Sequence, residues 1–135
     1  MSRVHLLAVV LALGAASCGD DTVVTPTPTT TVTVTDTFSG TLTPNGAASY
    51  PFVTAASGDI RVFISALTPD PTLIVGLSLG TWNGAACQIV LSNDKATLAS
   101  GVAGTASGSG SLCARIYDVG NITNPATYEI QVVHP

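Results

Sequence analysis

A chain of 135 residues with a formal net charge of −4 and only 9 % charged residues has the length of one domain. Beyond the first 17 residues the cations are Arg61, Lys95 and Arg115 against eight acids, a net charge of −5. Three scattered cations cannot neutralise a run of phosphates, which excludes nucleic acid as a partner and electrostatic attraction to an anionic lipid surface. Hydrophobic residues make up 46 % of the chain. Outside the N-terminal segment, however, no apolar run reaches the ~18–20 residues of a spanning helix. The apolar residues alternate with Thr, Ser and Gly instead, which is strand composition.

Residues 1–17 read as a secretory signal: Arg3 forms a short positive region, Leu6 to Leu13 an apolar run, and Gly14-Ala15-Ala16-Ser17 a small-residue stretch. The segment ends on a cysteine, and Ala15-Ala16-Ser17-Cys18 resembles the bacterial lipobox, with Ala15 where leucine is usual. That resemblance implies a mature chain beginning at an acylated Cys18, carrying diacylglycerol and a fatty acid such as palmitate. Each buried methylene contributes roughly 0.8 kcal/mol, and stable anchoring takes more than one acyl chain, which such a cysteine supplies. The implied partner is a membrane of the bacterial cell envelope. Gly19 directly after the cysteine is compatible with outer-membrane or cell-surface delivery.

Residues 18–35 form the next stretch, with Asp20 to Thr35 reading DDTVVTPTPTTTVTVT. Pro26 and Pro28 remove backbone donors and favour polyproline II, and threonines alone build no core. A disordered stalk reaching up to ~50 Å, at ~3.1 Å per residue, is expected. The Thr-Val alternation at 31–35 leaves open an early edge strand.

The folded part is expected over 36–135. Helical spacing is missing, and short alternating runs recur between Gly, Pro, Asn and Asp. In chain order they are Thr37 to Leu42, Ala48 to Thr54, Ile60 to Ser65, Leu73 to Leu79, Cys87 to Leu91, a weaker run from Thr97 to Val102, Leu112 to Tyr117, and Tyr128 to Val132. Seven to eight short strands, each with one apolar face, predict an all-β fold: a small antiparallel β-sandwich, jelly-roll-like.

The pattern Phe38-Ser39-Gly40-Thr41-Leu42, Tyr50-Pro51-Phe52-Val53, Gly58-Asp59-Ile60-Arg61-Val62, Gly110 to Asp118 and Tyr128-Glu129-Ile130-Gln131-Val132 resembles the bacterial pre-peptidase C-terminal domain. That family is a β-sandwich appended to secreted proteases, and some of its members bind calcium. Its members often carry an aromatic residue where Leu112 stands here. The resemblance implies the fold and an accessory role, not a protease activity.

Acylation of Cys18 would leave Cys87 and Cys113 in two different strand runs of an exported protein, where a disulfide is expected and two buried thiols are the alternative. No Cys-x-x-Cys is present, and His134 is the one histidine outside the signal segment, at a terminus expected to fray. A zinc site and a Ser-His-Asp site therefore lack their parts, and no enzyme is expected. No cofactor is expected either. The weak calcium candidates are the oxygen-rich loops with Asn93, Asp94, Asp118 and Asn121, although no Asp-x-Asp-x-Asp-Gly loop is present and aspartates in turns usually bond their own backbone.

For ligand binding the candidates are Trp82, in a glycine-flanked loop, and a strip of Arg115 and Tyr117 together with Arg61. The sequence thus points to a non-catalytic envelope lipoprotein presenting a binding or accessory module for a glycan, peptide or partner protein. A structural, self-associating envelope protein whose exposed strand edges meet neighbours is the alternative.

Overall fold

Ile60, Val62 and Ile64 are all at most 1 % exposed, and the residues between them face outward or sideways. This period-two burial recurs through most of the chain and produces strands rather than helices. The computed structural model describes residues 24–27 and 30–135; Cys18 and the signal-like segment lie outside the described residues. Eight strands follow: β1 (Val34–Leu42), β2 (Ala47–Thr54), β3 (Gly58–Thr68), β4 (Val75–Trp82), β5 (Cys87–Ala96), β6 (Gly101–Ala106), β7 (Gly110–Tyr117) and β8 (Ala126–His134). They form two antiparallel four-stranded sheets, sheet A in the order β1-β8-β3-β6 and sheet B in the order β2-β7-β4-β5. This is the strand order of a jelly roll. The all-β sandwich expected from the alternation is therefore the fold.

Between the sheets lies one core, built from Leu42, Phe52, Ile60, Val62, Ile64, Leu67, Val75, Leu77, Leu79, Ala114, Ile116, Tyr128, Ile130 and Val132 among others. The pairings also sort the loops into two ends. At one end, called here the near end, β1 begins beside the close of β8 (Val34 opposite His134), and β3 begins beside the close of β6 (Gly58 opposite Ala106). In sheet B, Thr54 opposite Gly110 and Trp82 opposite Cys87 mark the same end. The near-end loops are 55–57, 83–86 and 107–109; the far-end loops are 43–46, 69–74, 97–100 and 118–125.

Some boundaries differ from the expected ones. β1 starts at Val34, so the Thr-Val alternation enters the sheet two residues before position 36. The run at 97–102 yields its first half to a turn. The Ser100 hydroxyl accepts from the Thr97 amide at 2.6 Å, the Ser100 amide donates to the Thr97 carbonyl, and Ala99 takes φ 65°. β6 therefore begins at Gly101. His134 does not lie on a fraying terminus. It is 3 % exposed in β8, its Nε2 lies 3.0 Å from the Asp36 carboxylate on β1, and the Pro135 carbonyl accepts the Ala55 amide.

Strand β4 breaks the alternation: residues 75–80 are buried on both faces. Its inward residues are Val75, Leu77 and Leu79, and its outward ones are Gly76, Ser78 and Gly80. The Tyr117 ring covers Gly76 so closely that a Cβ would collide with it, and a Cβ on Gly80 would land on the Gln88 carbonyl. The start of β5 thus folds over β4, through a register shift between Leu79 and Gly80. The Cys87–Cys113 disulfide closes this arrangement. Cys113 pairs with Gly80 from one side and Cys87 pairs with Trp82 from the other, yet their α-carbons are only 5.7 Å apart. Two strand spacings would be about 9.5 Å, so the bond crosses the outer face of β4 where Gly80 leaves room.

At a sequence separation of 26, the chain-entropy model gives the bond about 3.5 kcal/mol. We predict that Cys87→Ser with Cys113→Ser lowers unfolding stability by ~2–5 kcal/mol in denaturant titration. The oxidised wild-type protein should show no free thiol from this pair after denaturation; a stability unchanged by the double substitution would contradict the assignment.

Candidate functional site

β5 and β6 are the edge strands that face each other along one side of the sandwich. Toward the far end they are tied together by the Asn93 side-chain amide, which donates to the Gly101 carbonyl at 3.1 Å, and the 97–100 loop between them is pinned to β3 where the Ala99 amide donates to the Ile64 carbonyl at 2.9 Å. Toward the near end they leave a cleft of about 320 Å³. Its floor is the core itself, through Ile60, Leu79 and Leu112. Its walls are Val90 and Leu91 of β5 and Gly104, Thr105 and Ala106 of β6. A Cβ on Gly104 would sit 2.9 Å from Leu91 Cδ1, so glycine there is what lets Leu91 reach across.

The rim is the Ser/Gly segment 107–111, and it is held from below. The Thr54 side chain, fully buried, donates to the carbonyls of Gly108 (3.1 Å) and Gly110 (3.4 Å). Not one residue lining the cleft is charged. With apolar walls, a few hydroxyls and no ionic group, it suits a neutral and largely apolar group, because a charge entering it would be desolvated without a partner. Val90, 67 % exposed, stands at its mouth. Sequence reading passed over this site because Ser-Gly-Ser-Gly-Ser looks like a plain break between strands. The only signal was an uncharged run, Cys87 to Asn93, placed by chance or design in an edge strand.

The residues singled out from the sequence do not converge. Arg115 and Tyr117 do lie together on the outer face of sheet B, the guanidinium 5.4 Å from the ring centroid. Arg61 is on β3 of sheet A and points away on the opposite outer face, so the strip joining Arg61 to Arg115 and Tyr117 is not formed. Trp82 is the last residue of β4, half-buried, at the near end, whereas Tyr117 closes β7 at the far end. The Tyr117 hydroxyl donates to Asp94, and burial followed by that carboxylate holds the phenol above its ordinary range. In the other sheet pair, Tyr50 stacks on Phe38 at 4.7 Å and shares a 2.6 Å hydrogen bond with Tyr128. Burial first, and then the Tyr50 hydroxyl, push the Tyr128 phenol far up, so it stays protonated. Gly40 makes room for both hydroxyls.

The calcium candidates meet in an open depression at the far end lined by Asn45, Asp94, Lys95, Asp118 and Asn121, while Asn93 faces the other way toward Gly101. Their oxygens are committed locally. Asp118 Oδ1 accepts the amides of Gly120, Asn121 and Ile122 at 2.8–3.0 Å, and Oδ2 accepts the Asn45 amide at 2.8 Å. Asn93 Oδ1 accepts the Lys95 amide, and the Asn121 side-chain amide donates to the Ile74 carbonyl. Among the described residues no three His, Cys, Asp or Glu side chains gather as a metal-holding group. Neither nitrogen of His134 faces a hydroxyl: Nε2 is on Asp36 and Nδ1 is 3.2 Å from the Pro135 carbonyl.

No family model, curated protein or solved structure matches this chain. The cleft and the loops must therefore be read from their own chemistry.

Asp118 ties the 43–46 turn to the 118–122 loop. Partial burial raises its carboxyl, but the four amides from Asn45, Ile122, Gly120 and Asn121 outweigh this and hold it below the usual carboxylate range. A depressed folded pKa contributes stability above the unfolded value, and that contribution is lost as pH falls through the folded value. We predict that Asp118→Ala lowers the melting temperature by several degrees at pH 7. The difference from wild type should shrink as pH falls through and below the ordinary carboxylate range; a difference independent of pH would show that the charge is not what holds these loops.

Proposed function

We propose that this chain is a non-catalytic protein of the bacterial cell envelope, anchored by lipid at Cys18, whose jelly roll is a binding or accessory module. The β5/β6 cleft is its binding site. The observation that carries this reading is the cleft's chemistry: a core-deep, uncharged, ligand-sized recess on a surface otherwise dressed with Thr, Ser and Asp. It fits an apolar side chain of a peptide or partner protein, or the apolar part of a neutral small molecule, better than it fits a glycan, which would call for more hydrogen-bonding groups. The lipobox-like Ala15-Ala16-Ser17-Cys18 supports export and anchoring, and the resemblance to pre-peptidase C-terminal domains supports an accessory role. One observation favours self-association as a second reading. Ile89, Val90 and Leu91 lie side by side, 42 %, 67 % and 39 % exposed, on the free edge of sheet B, with no charge or proline between Cys87 and Asn93 to blunt it.

The test is titration with N-phenyl-1-naphthylamine, a neutral apolar fluorophore, into the protein and into Gly110→Leu. Gly110 lies opposite the buried Thr54 on the inward side of its strand, and a Cβ there meets nothing within 4 Å. The leucine should fill the cleft without disturbing the fold. We expect saturable binding to wild type, at least tenfold weaker in the variant, with equal melting temperatures. Absence of saturable binding to wild type, or equal binding to both, rejects the cleft as the site. Concentration-dependent dimerisation abolished by Val90→Lys would favour the self-association reading.

A further inference from the structure

We propose that the near end of the jelly roll, with the adjoining part of sheet B, rests on the lipid surface that holds Cys18, and that Trp82 sits at the water–lipid boundary. This rests on the proposed anchoring at Cys18, and it goes beyond it by assigning a second contact to the folded part.

The first argument is where the chain enters. β1 begins at Val34, directly opposite His134 at the near end, and only residues 19–33 separate it from Cys18. At ~3.1 Å per residue that stretch spans roughly 45 Å even when fully extended as polyproline II. The tether from Cys18 therefore joins the fold at the near end. Tethering at such a distance gives an effective concentration on the order of millimolar, so a weak surface contact is populated.

The second argument is the division of charge between the two ends. The near-end loops read Ala-Ala-Ser at 55–57, Asn-Gly-Ala-Ala at 83–86 and Ser-Gly-Ser at 107–109, without one charged residue. The far-end loops carry Asp70 and Asp118, with Asp94 and Lys95 beside them at the end of β5, whereas the near-end charges stand on the strands of sheet A, Asp36 on β1 and Asp59 and Arg61 on β3, away from the sheet B side. The folded part is net negative, and its carboxylates at the far end point away from a surface approached from the near end.

The third argument is which apolar residues are left exposed. Ile74 (39 %) and Leu98 (40 %) are exposed at the far end, but the more exposed Val34 (44 %), Val53 (65 %), Ile89 (42 %) and Val90 (67 %) all lie in the near half, and Trp82 closes β4 there. Val53 shares the outer face of sheet B with the disulfide, so the patch continues from the end onto that face. Small uncharged loops allow close approach, apolar side chains enter the headgroup boundary, and an indole favours that boundary because it has an apolar body and one donor. With no cationic cluster at this end, the contact is apolar and insensitive to salt. The mouth of the β5/β6 cleft, at Val90, would then open at the level of the lipid, and an apolar ligand could enter from the membrane without crossing water.

Trp82 is the sole tryptophan of the chain, which makes the test direct. The full chain is purified from membranes and reconstituted in dioleoylphosphatidylcholine vesicles, with a parallel set containing acyl-dibrominated phosphatidylcholine. We expect blue-shifted Trp82 emission and at least twofold quenching in the brominated set, unchanged in 1 M NaCl. Val53→Asp combined with Val90→Asp should abolish most of the quenching while the melting temperature stays within a few degrees. Mass spectrometry of the same sample separates the two claims. Lipid on Cys18 with unquenched Trp82 overturns the docking alone. A chain without lipid on Cys18 overturns the anchoring, and the docking falls with it. Quenching that disappears in high salt, or that the double substitution leaves intact, also overturns the apolar contact proposed here.

Discussion

Sheet B depends on how the outer face of β4 is covered. An antiparallel sheet in a sandwich normally leaves that face to water, but here Gly76, Ser78 and Gly80 are buried beneath Tyr117, the start of β5 and the disulfide. Glycine at 76 and 80 is required by distance, since a Cβ at either would strike an aromatic ring or a peptide group. The consequence spreads outward. β5 pairs with β4 from Cys87 onward, shifts register at Leu79/Gly80, and carries Val90 and Leu91 from that shift into the wall of the cleft. The disulfide ties the first residue of β5 across β4 to β7. Gly80, which leaves room for the bond, also lines the cleft, so the bond and the candidate binding site meet at one residue.

Much of the fold was legible because burial in a two-layer β structure has period two. Ile60-Val62-Ile64, Leu77-Leu79 and Ile130-Val132 announce their strands, and the pairing of Cys87 with Cys113 was expected because they are the two cysteines besides Cys18. Where side chains compete with the ladder for the backbone, alternation misleads. The Thr97 to Ser100 segment looks like strand, but the Ser100 hydroxyl captures the Thr97 amide and makes a turn. His134 looked like a loose end because sequence position says nothing about Asp36, 98 residues earlier, lying 3.0 Å from its ring. The candidate site was the least legible part. Arg61, Arg115, Tyr117 and Trp82 were chosen for chemical character, and only sheet assignment shows that they occupy two faces and two ends. The cleft is made of residues with no character to notice, Gly104, Ala106, Ser107 and Gly110 among them, which matter through what they leave empty.

Polar chemistry, by contrast, is spent on holding loops. Asp118 gathers four amides and Asp70 accepts from the Thr72 amide and hydroxyl, which lowers both carboxyls. Thr54 holds the Gly108 and Gly110 carbonyls, and a hydrogen bond joins the Tyr50 and Tyr128 hydroxyls between β2 and β8. No buried side-chain nitrogen or oxygen among the described residues is left without a partner. A ligand that drew on Asp70, Asp118, Thr54, Tyr50 or Tyr128 would have to break one of these arrangements. A ligand that depends on apolar contact would break none, and the cleft and the Ile89 to Leu91 run offer free apolar surface.

The two ends of the jelly roll are unequal for a reason that topology imposes. Four loops fall at the far end and three at the near end, together with both termini of the folded chain. The far-end connections 69–74 and 118–125 are long, and long connections need internal acceptors to satisfy their backbone amides, which is why aspartates collect there. The near-end connections are short and find neutral acceptors, as when Asn83 Oδ1 accepts the Ala85 and Ala86 amides and the Ala86 carbonyl accepts the Asn83 amide, so they can dispense with charge. The chain therefore enters the fold among its least charged loops without any residue being chosen for that purpose. Selection for an apolar contact would then have had to add only Val53, Val90 and Trp82 beside loops already free of charge, the near-end carboxylates Asp36 and Asp59 being held on the strands of sheet A.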